Sequence, residues 1–477
     1  MLTKKMYSWL LGTLVLGATL QSCTRTADDG GDDTGSQLVE LTGNLTTQTL
    51  TADKRYLIKG QVFVRSGQVL TIQPGTVIYG EKRTKGTLVI DRGGRLEARG
   101  TASQPIVFTS NQSVGDRDRG DWGGIVMLGN AGCNQVDPAI VGIDPAVHFG
   151  GNPANTRSST TAQDNESSGT LEYVRIEFAG IELTPNNETN SLTMGGLGRG
   201  TKMEYIQLSY GGDDGFEWFG GTNNGRYFIS FNMWDDDFDV DFGWSGNVQF
   251  GVAVRYPSYA DQSGSNIFEC DNGPNDNDVQ PYTTGTFSNI TGIGPIKTGT
   301  SISNGNFQHA IDLRRRTAVS ILNSVFTGMP LGVRMNQASV VAQYLTAGRG
   351  VLANNIILTP NNANAFLAGS GVVADSVRNF WNRTNERVDG PASDAAHTTL
   401  GINPDLIFGS RTDQQYGSNP NFAVTSGTIA TGASFTHPKF SEANRTGIFQ
   451  TVTYRGAFGA ADWTDTWAEF NPVNRSY

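Results

Sequence analysis

The stretch FEWFGG at residues 216–221 decides the fold, because its pattern returns twice further along the chain, as FDVDFG at 238–243 and FECDNG at 268–273. Each copy has a phenylalanine, then an acidic residue, then a glycine at the sixth position. The first two copies begin 22 residues apart and the next two 30 apart. Such a period, with no room for helices, is that of one coil of a parallel β-helix, whose stacked coils share a continuous core.

Other segments carry the same signature of short strands broken by glycine. LTIQPGTVI at 70–78 and LVIDRGGRLEA at 88–98 alternate apolar and polar residues, and LEYVRI at 171–176 returns as MEYIQL at 203–208. Alternation marks half-buried strands, and the glycines mark turns between them. A β-propeller or a sandwich fits this spacing less well. The sequence therefore predicts an all-β fold, a parallel β-helix solenoid forming one domain over residues 38–477, with a C-terminal cap around 445–477.

Several of these segments also resemble a known family. The carrying stretches are GTLVIDRGGRLEARGTASQPIVFTSN (86–111), GDWGGIVMLGNA (120–131), SGTLEYVRIEFAG (168–180), GGDDGFEWFGG (211–221), WDDDFDVDFG (234–243) and YRGAFGAADWTDTWAEFNP (454–472). They look like a family of Bacteroidota outer-membrane lipoproteins of parallel β-helix type, with relatives among spirochaete outer-membrane lipoproteins. The resemblance implies a right-handed solenoid, and it carries over no settled activity.

The N-terminus predicts a lipid anchor. Lys4 and Lys5 precede an apolar run at 9–20 that is too short to span a bilayer as a stable helix. The run ends at Leu-Gln-Ser-Cys, which resembles a bacterial lipoprotein signal. We expect residues 1–22 to be the signal peptide and Cys23 to be lipidated; an ordinary secretory signal is the alternative.

The segment after the anchor is polar, acidic and rich in glycine, which is typical of a flexible tether over residues 23–37. Acidic tethers of this kind resemble the surface-export signal of Bacteroidota lipoproteins. We expect the protein to lie in the cell outer membrane and to face the extracellular surface, with a spacer facing the periplasm as the alternative. Two cysteines besides Cys23, Cys133 and Cys270, leave a disulfide open.

The stretch WDDDFDVDFG at 234–243 carries five carboxylates in ten residues. In a strand, alternate side chains face opposite sides. The side chains at even positions are predicted to enter the core; they are Phe238, Val240 and Phe242. The side chains at odd positions are predicted to point outward; they are Asp235, Asp237, Asp239 and Asp241.

Stacking the coils in the FEWFGG register places carboxylates above one another. Glu217, Asp239 and Glu269 fall in one outward column, with Asp241 and Asp271 in the next. Asp213 and Asp235 align at the turn before. Residues 203–280 hold 14 Asp and Glu against two Arg, a balance of −12 that exceeds the −10 of the whole chain. Carboxylates on coils about 4.8 Å apart repel unless something neutralises them.

Calcium would neutralise these carboxylates, because it accepts six to eight oxygen ligands in loose geometry. We therefore predict Ca²⁺ as cofactor, with a solvated acidic face as the alternative. The four scattered histidines argue against zinc. The predicted metal ligands are Glu217, Asp235, Asp237, Asp239, Asp241, Glu269 and Asp271.

Three classes of function fit such a chain. The first is a calcium-stabilised module for glycan or nutrient capture, with Trp244 and Tyr259 as surface aromatics that bind the ligand. The second is a calcium-dependent polysaccharide lyase or a glycoside hydrolase. Gly212-Asp213-Asp214 resembles the paired aspartates of such hydrolases, but the accompanying histidine and Arg-x-Lys are missing.

The third class is a structural surface scaffold. A lipid-anchored rod could dock on a TonB-dependent transporter, an expectation that rests on analogy with other surface lipoproteins. The candidate partners are accordingly the membrane, through the lipid, a TonB-dependent transporter and a glycan. The acidic composition predicts no nucleic-acid partner.

Overall fold

The computed structural model describes residues 38–151, 160–184, 187–302, 304–403 and 420–477. The predicted signal peptide, the tether and Cys23 lie outside these residues. Twenty-eight strands occur in the described part of the chain. They are β1 (Leu38–Leu45), β2 (Gln48–Leu50), β3 (Arg55–Val64), β4 (Val69–Ile72), β5 (Val77–Gly80), β6 (Thr87–Ile90), β7 (Arg95–Arg99), β8 (Ile106–Ser110), β9 (Ile125–Leu128), β10 (Gly169–Glu177), β11 (Glu182–Thr184), β12 (Asn187–Glu188), β13 (Leu192–Gly195), β14 (Lys202–Ser209), β15 (Phe216–Phe219), β16 (Gly225–Phe231), β17 (Phe238–Asp241), β18 (Asn247–Val254), β19 (Phe268–Cys270), β20 (Thr286–Ile293), β21 (His309–Leu313), β22 (Ser320–Leu322), β23 (Val325–Thr327), β24 (Leu331–Gln337), β25 (Leu352–Ala353), β26 (Ile356–Leu358), β27 (Phe366–Ser370) and β28 (Glu386–Val388).

Helices are few and short in the described residues. They are α1 (Thr161–Asp164), α2 (Ala338–Val341), α3 (Ala374–Trp381) and α4 (Asp394–Leu400), with a π turn at Ala342–Thr346 and 3₁₀ turns at Asn362–Asn364, Thr428–Ala430, Pro438–Ser441 and Pro472–Asn474. None of the helices in this part of the chain is both long and apolar enough to cross a membrane.

The strands stack as the repeats predict. Twenty-six of them form one sheet in which each strand pairs in parallel with strands of neighbouring coils, while β11 and β12 form a separate antiparallel hairpin. Phe216 lies beside Phe238, Phe238 beside Phe268, and Phe268 beside Ile311. The predicted all-β parallel β-helix and the register of the FEWFGG repeats are both confirmed.

Aromatic stacking fills the middle of the solenoid. The ring centroids of Phe216 and Phe238 are 5.7 Å apart, and those of Phe238 and Phe268 are 5.0 Å apart. Trp244 belongs to this core: it is fully buried, 5.1 Å from Trp218, and its indole Nε1 donates a hydrogen bond to Asn223 Oδ1 at 3.1 Å. The prediction that Trp244 lies on the surface, made from its position near a turn, is therefore wrong, because its indole packs inward against Trp218 and Phe287.

The C-terminal residues run along the outside of the coils. Their side chains build a second core against the outer face, in which the Trp467 indole meets the stacked rings of Tyr173 and Tyr205 edge-on at 5.8 and 6.0 Å. The side-chain Nε2 of Gln207 donates to the backbone carbonyl of Glu469 at 2.6 Å. Cys133 and Cys270 are both buried and are not joined by a disulfide.

Candidate functional site

The outward column of acidic residues predicted from the repeats exists and is longer than expected. Glu217 pairs with Asp239 and Asp239 with Glu269, so the three-residue column is confirmed. Thr193 precedes it, and Asp312 and then Arg334 continue it beyond Glu269. The parallel register thus holds four carboxylates in line along one face.

At one end of this column the carboxylates gather into two overlapping groups. Oxygen atoms of Asp213, Asp214 and Asp235 lie within 4.8 Å of one another, and so do those of Asp214, Glu217 and Asp239. Asp214 belongs to both groups, so five carboxylates form one continuous cluster, which we call the acidic cluster. The predicted alignment of Asp213 with Asp235 is part of it, and the carbonyl of Asp213 accepts from the Asp235 amide at 3.4 Å.

Burial and crowding hold protons on the acidic cluster. Burial raises the pKa of Asp213 and Asp214 well above the ordinary value, and the neighbouring carboxylates raise it further. The same causes raise the pKa of Glu217 and Asp239. Burial raises the pKa of Asp235 to about 6, against the opposing effect of the Ser263 hydroxyl. Without a cation, these groups resist full ionisation at neutral pH.

The protein satisfies only part of the cluster's hydrogen-bonding capacity. Asp214 Oδ1 accepts from the Asp236 amide at 2.7 Å, Glu217 accepts from the Asn190 side chain, and Asp235 Oδ2 accepts from the Ser263 hydroxyl at 2.8 Å. Oδ1 of Asp235 and Oδ1 of Asp239 are buried with no hydrogen-bond partner among the described residues. Orphaned carboxylate oxygens and an all-oxygen donor set are what Ca²⁺ requires, so these residues fit the ion.

Beyond Asp239, arginine side chains pair with the acids: with Glu269 in this column and with Asp271 in the next. Arg314 Nη1 donates to Glu269 Oε2 at 2.6 Å, and its Nε and Nη2 donate to the two oxygens of Asp271 at 3.1 and 2.7 Å. Arg315 Nη1 adds a second contact to Asp271 at 2.7 Å. Both predicted ligands, Glu269 and Asp271, therefore have protein counter-ions, so they do not share the cluster's need for a metal.

One aspartate of the 234–243 stretch lies differently from the prediction. Asp237 is fully buried rather than outward, accepts from the Ser230 hydroxyl at 2.6 Å and lies 3.6 Å from Arg255 Nη1. The strand begins only at Phe238, so parity does not extend back to Asp237. Asp241 keeps the predicted parity, beside Phe219 of the preceding coil; it is covered by its surroundings, and its Oδ1 accepts from the backbone amide of Phe242 at 2.6 Å.

Phe242 leaves the core, contrary to the predicted alternation. Its φ of 53° lies in the left-handed region, which turns the side chain outward at the end of β17. There its ring lies 5.1 Å from Phe219, and Phe149 lies 6.0 Å from Phe219. These three rings form an aromatic wall beside the acidic cluster.

A cavity of about 330 Å³ joins the two features. Asp213, Asp214 and Glu217 line one side, and the aromatic wall lines another. Residues 187–190, Thr193 and a loop at 139–141 complete the lining, and Glu188 adds a further carboxylate. Sequence reasoning missed Phe149, Asn190 and Thr193, which no repeat marks, and it considered Asp214 only in the pair Gly212-Asp213-Asp214.

Tyr259 is half-buried and faces a different cavity from the one beside the acidic cluster. Its ring packs on the guanidinium of Arg119, with 3.5 Å between the ring centroid and Cζ. The predicted surface position of Tyr259 is thus met, and its predicted role in ligand binding stays a prediction.

The fold and the site together define a class of protein, a parallel β-helix with a carboxylate-lined cavity on its outer face. The chain belongs to the pectate-lyase-like beta helix domain family, which matches residues 43–398. That membership is compatible with a polysaccharide-related function. A search among curated proteins finds no match to the chain.

Proposed function

We propose that this protein is a calcium-dependent carbohydrate-binding protein of the outer-membrane surface, anchored by a lipid on Cys23. One observation carries the proposal: a cavity of about 330 Å³ has uncompensated carboxylates on one side and an aromatic wall on the other. Sugar sites combine apolar ring contacts with a few convergent polar groups, and the size lies within the range of small-molecule pockets.

Calcium has a defined place in this proposal. Asp213, Asp214 and Asp235 would hold one ion, and Asp214, Glu217 and Asp239 would hold a second position that shares Asp214. The ion supplies positive charge that lets the cluster ionise, and sugar hydroxyls are oxygen ligands that calcium accepts. Asn190 and Thr193 add hydrogen-bonding groups beside the same carboxylates.

The cellular position is the less direct part of the proposal. The Leu-Gln-Ser-Cys box, the acidic tether and the resemblance to Bacteroidota outer-membrane lipoproteins all support a lipid-anchored protein that faces outward. Capture of glycan for a TonB-dependent transporter would suit that position. Palmitate labelling that disappears in Cys23→Ala, with trimming by protease on intact cells, is the expected result.

A glycoside hydrolase is the second candidate, and the raised pKa of Asp214 and Glu217 favours it. A general acid must hold its proton near neutral pH, and burial raises the pKa of both groups. A lyase has less support, because it needs a basic side chain near the metal to take the proton next to the uronate, and neither arginine near the acidic stretch is available for that. Arg255 is fully buried beside Asp237, and Arg314 is paired with Glu269 and Asp271.

The test is a glycan-binding screen with and without calcium. We expect binding in millimolar calcium, loss of binding in EGTA, and loss of both glycan and calcium binding in Asp214→Asn with Asp239→Asn. Phe219→Ala should weaken glycan binding and leave calcium binding intact, which separates the aromatic wall from the metal. Asp53→Asn with Asp375→Asn makes the same charge change at exposed positions outside the cluster and should change neither.

Two results would count against the proposal. Calorimetry that detects no calcium binding at millimolar concentrations removes the cofactor, and glycan binding that persists in EGTA removes its role. Release of reducing ends from a bound glycan, abolished by Asp214→Asn, would instead identify the hydrolase.

A further inference from the structure

The cavity beside the acidic cluster carries charge of one sign only. Its lining includes the carboxylates of Glu188, Asp213, Asp214 and Glu217, and no lysine, arginine or histidine of the described residues lines it. Glu188 is exposed, lies on β12 and belongs to neither of the two groups of clustered oxygens. Such a lining attracts a ligand that brings positive charge of its own.

Two of the buried acids keep an oxygen free for that ligand. Asp214 Oδ1 accepts from the Asp236 amide and Glu217 Oε2 from the Asn190 side chain, whereas Asp214 Oδ2 and Glu217 Oε1 accept no hydrogen bond from the described part of the chain. Asp214 and Glu217 are each 8% exposed and line the cavity. Unlike the orphaned oxygens of Asp235 and Asp239, these two are not sealed from solvent.

The aromatic wall adds a second feature that suits a cation. The ring centroids of Phe219 and Phe242 are 5.1 Å apart, and Phe149 lies 6.0 Å from the first and 6.5 Å from the second. Phe219 and Phe242 are half-buried, so part of each ring stays accessible. The faces of aromatic rings are electron-rich, and they attract an ammonium group.

Calcium does not remove the need for a positively charged ligand. Ions at both proposed positions bring four positive charges to the five carboxylates of the acidic cluster and to Glu188. Two negative charges therefore remain when all six groups are ionised. They repel an anionic sugar and stay uncompensated beside a neutral one.

We propose that the sugar bound in this cavity carries a free amino group, as a glucosamine unit does. Its ammonium donates to Glu188 and to the free oxygens of Asp214 and Glu217, and these charge-assisted hydrogen bonds are stronger than those of a neutral amide. N-acetylation removes the charge, so the site distinguishes the amine from its acetylated form. This inference rests on the proposed function and names the class of sugar that it binds.

Titration calorimetry on the full chain tests the inference in saturating calcium, slightly below neutral pH, where an amine carries its proton. The probes are glucosamine, N-acetylglucosamine as the uncharged sugar, glucuronate as the anionic sugar and methylammonium as the bare cation. We expect glucosamine to bind about tenfold or more tightly than each of the other three, a difference of about 1.4 kcal/mol.

A pair of variants on one hairpin tests the role of Glu188. Glu188→Gln should reduce the preference for glucosamine over N-acetylglucosamine and leave calcium binding unchanged, because Glu188 belongs to neither group of clustered oxygens. Glu182→Gln is the matched control, since Glu182 is exposed, pairs with Glu188 across the hairpin and does not line the cavity. It should change neither property.

The outcomes separate this inference from the proposed function. Equal affinity for glucosamine and N-acetylglucosamine, lost in EGTA for both, would overturn the inference and leave the proposed function standing. No binding of any sugar would overturn both. Methylammonium that binds as tightly as glucosamine would replace the sugar site by a general cation site, and an unchanged preference in Glu188→Gln would also contradict the inference.

Discussion

The two halves of one column of carboxylates differ in whether arginine side chains pair with them. Glu217 and Asp239 belong to a cluster whose pKa values are raised by burial and mutual repulsion. Glu269 and Asp312, in the same column, face Arg314 and Arg334 within hydrogen-bond distance. The repeat places an acid at the first three of these positions and the strand register adds Asp312, but the charge balance depends on which side chains the later coils bring beside them.

That difference separates a structural half from a half that calls for a ligand. The arginine-paired half has its counter-ions within the chain, although burial still raises the pKa of Glu269 to about 8 against the opposing effect of Arg314. The acidic cluster has orphaned oxygens and a cavity beside it, so something from outside the chain must supply the positive charge or the protons.

Removing Arg314 should damage the paired half most. Arg314→Ala leaves Glu269 and Asp271, whose side chains are 16% and 4% exposed, without their main counter-ion. Breaking such a pair by removing one partner is expected to lower the free energy of unfolding by about 3 kcal/mol. Urea denaturation in EGTA measures this loss in the free energy of unfolding.

Arg316→Ala is the matched control for that variant. Arg316 contacts the more exposed Asp276 and Asp278 at 3.9 and 3.5 Å, and exposed pairs contribute about 1 kcal/mol at most. Equal losses in Arg314→Ala and Arg316→Ala would contradict the assignment of Arg314 as the buried counter-ion.

Calcium should stabilise the folded chain through the acidic cluster. At a hundredfold excess over Kd, an ion that binds only the folded state adds about 2.7 kcal/mol to the free energy of unfolding. Thermal melting with and without EGTA measures the shift. Asp214→Asn with Asp239→Asn should abolish it, whereas an undiminished shift in that variant would place the ion elsewhere.

In the absence of calcium, the contribution of the acidic cluster to the stability of the chain should fall as the pH rises from 4 to 7. The folded pKa of Asp235 is about 6, above the unfolded value, so the folded chain keeps a proton that the unfolded chain releases. That stabilisation is complete below the unfolded pKa and is lost as the pH rises through the folded pKa. A folded pKa that lies one pH unit above the unfolded pKa corresponds to about 1.4 kcal/mol.

Urea midpoints between pH 4 and 7 in EGTA measure this slope. The other members of the acidic cluster, whose pKa values are also raised, act in the same direction. Asp214→Asn with Asp239→Asn should flatten the slope, and saturating calcium should reverse it, because the ion binds the ionised carboxylates. The lowered pKa of His309, about 3 because of burial, acts in the opposite direction, so the comparison is between the slopes of the parent chain and the variant. Equal slopes in the two chains would contradict the raised pKa values.

Single substitutions in the two halves of the column should change the free energy of unfolding in opposite directions. At neutral pH in EGTA, Asp239→Asn removes one member of a repelling group and is expected to stabilise the chain by about 1 kcal/mol. Glu269→Gln, one coil further on, takes a partner from Arg314 and should destabilise it. Two changes of the same sign would show that the column is not divided as described.

The repeats predicted the coil period, the parallel register and the acidic column, because these depend on short-range alternation and on a fixed spacing along the chain. Parity failed at Asp237 and Phe242, which lie just before and just after β17. There the backbone leaves the extended conformation, as the φ of 53° at Phe242 shows, and neighbouring side chains no longer alternate.

The site was only partly predictable for a related reason. Glu217, Asp235 and Asp239 were expected as ligands and do lie in the cluster, whereas Asp213 and Asp214 joined it through the shape of a turn. Whether an acid lacks a counter-ion depends on residues far along the chain, and Arg314 reaches Glu269 across 45 positions. No local pattern marks that contact.

The sequence by itself determined a stack of parallel coils with a line of acids on one face, because strand alternation and a constant period act locally. Only the tertiary structure decided which acids are neutralised, which aromatic rings leave the core and where cavities form. Those outcomes depend on burial and on the side chains that distant segments bring together, as when residues of the C-terminal segment line the cavity that Tyr259 faces. Electrostatic energies in a folded protein follow distance in space, which the order of residues does not state.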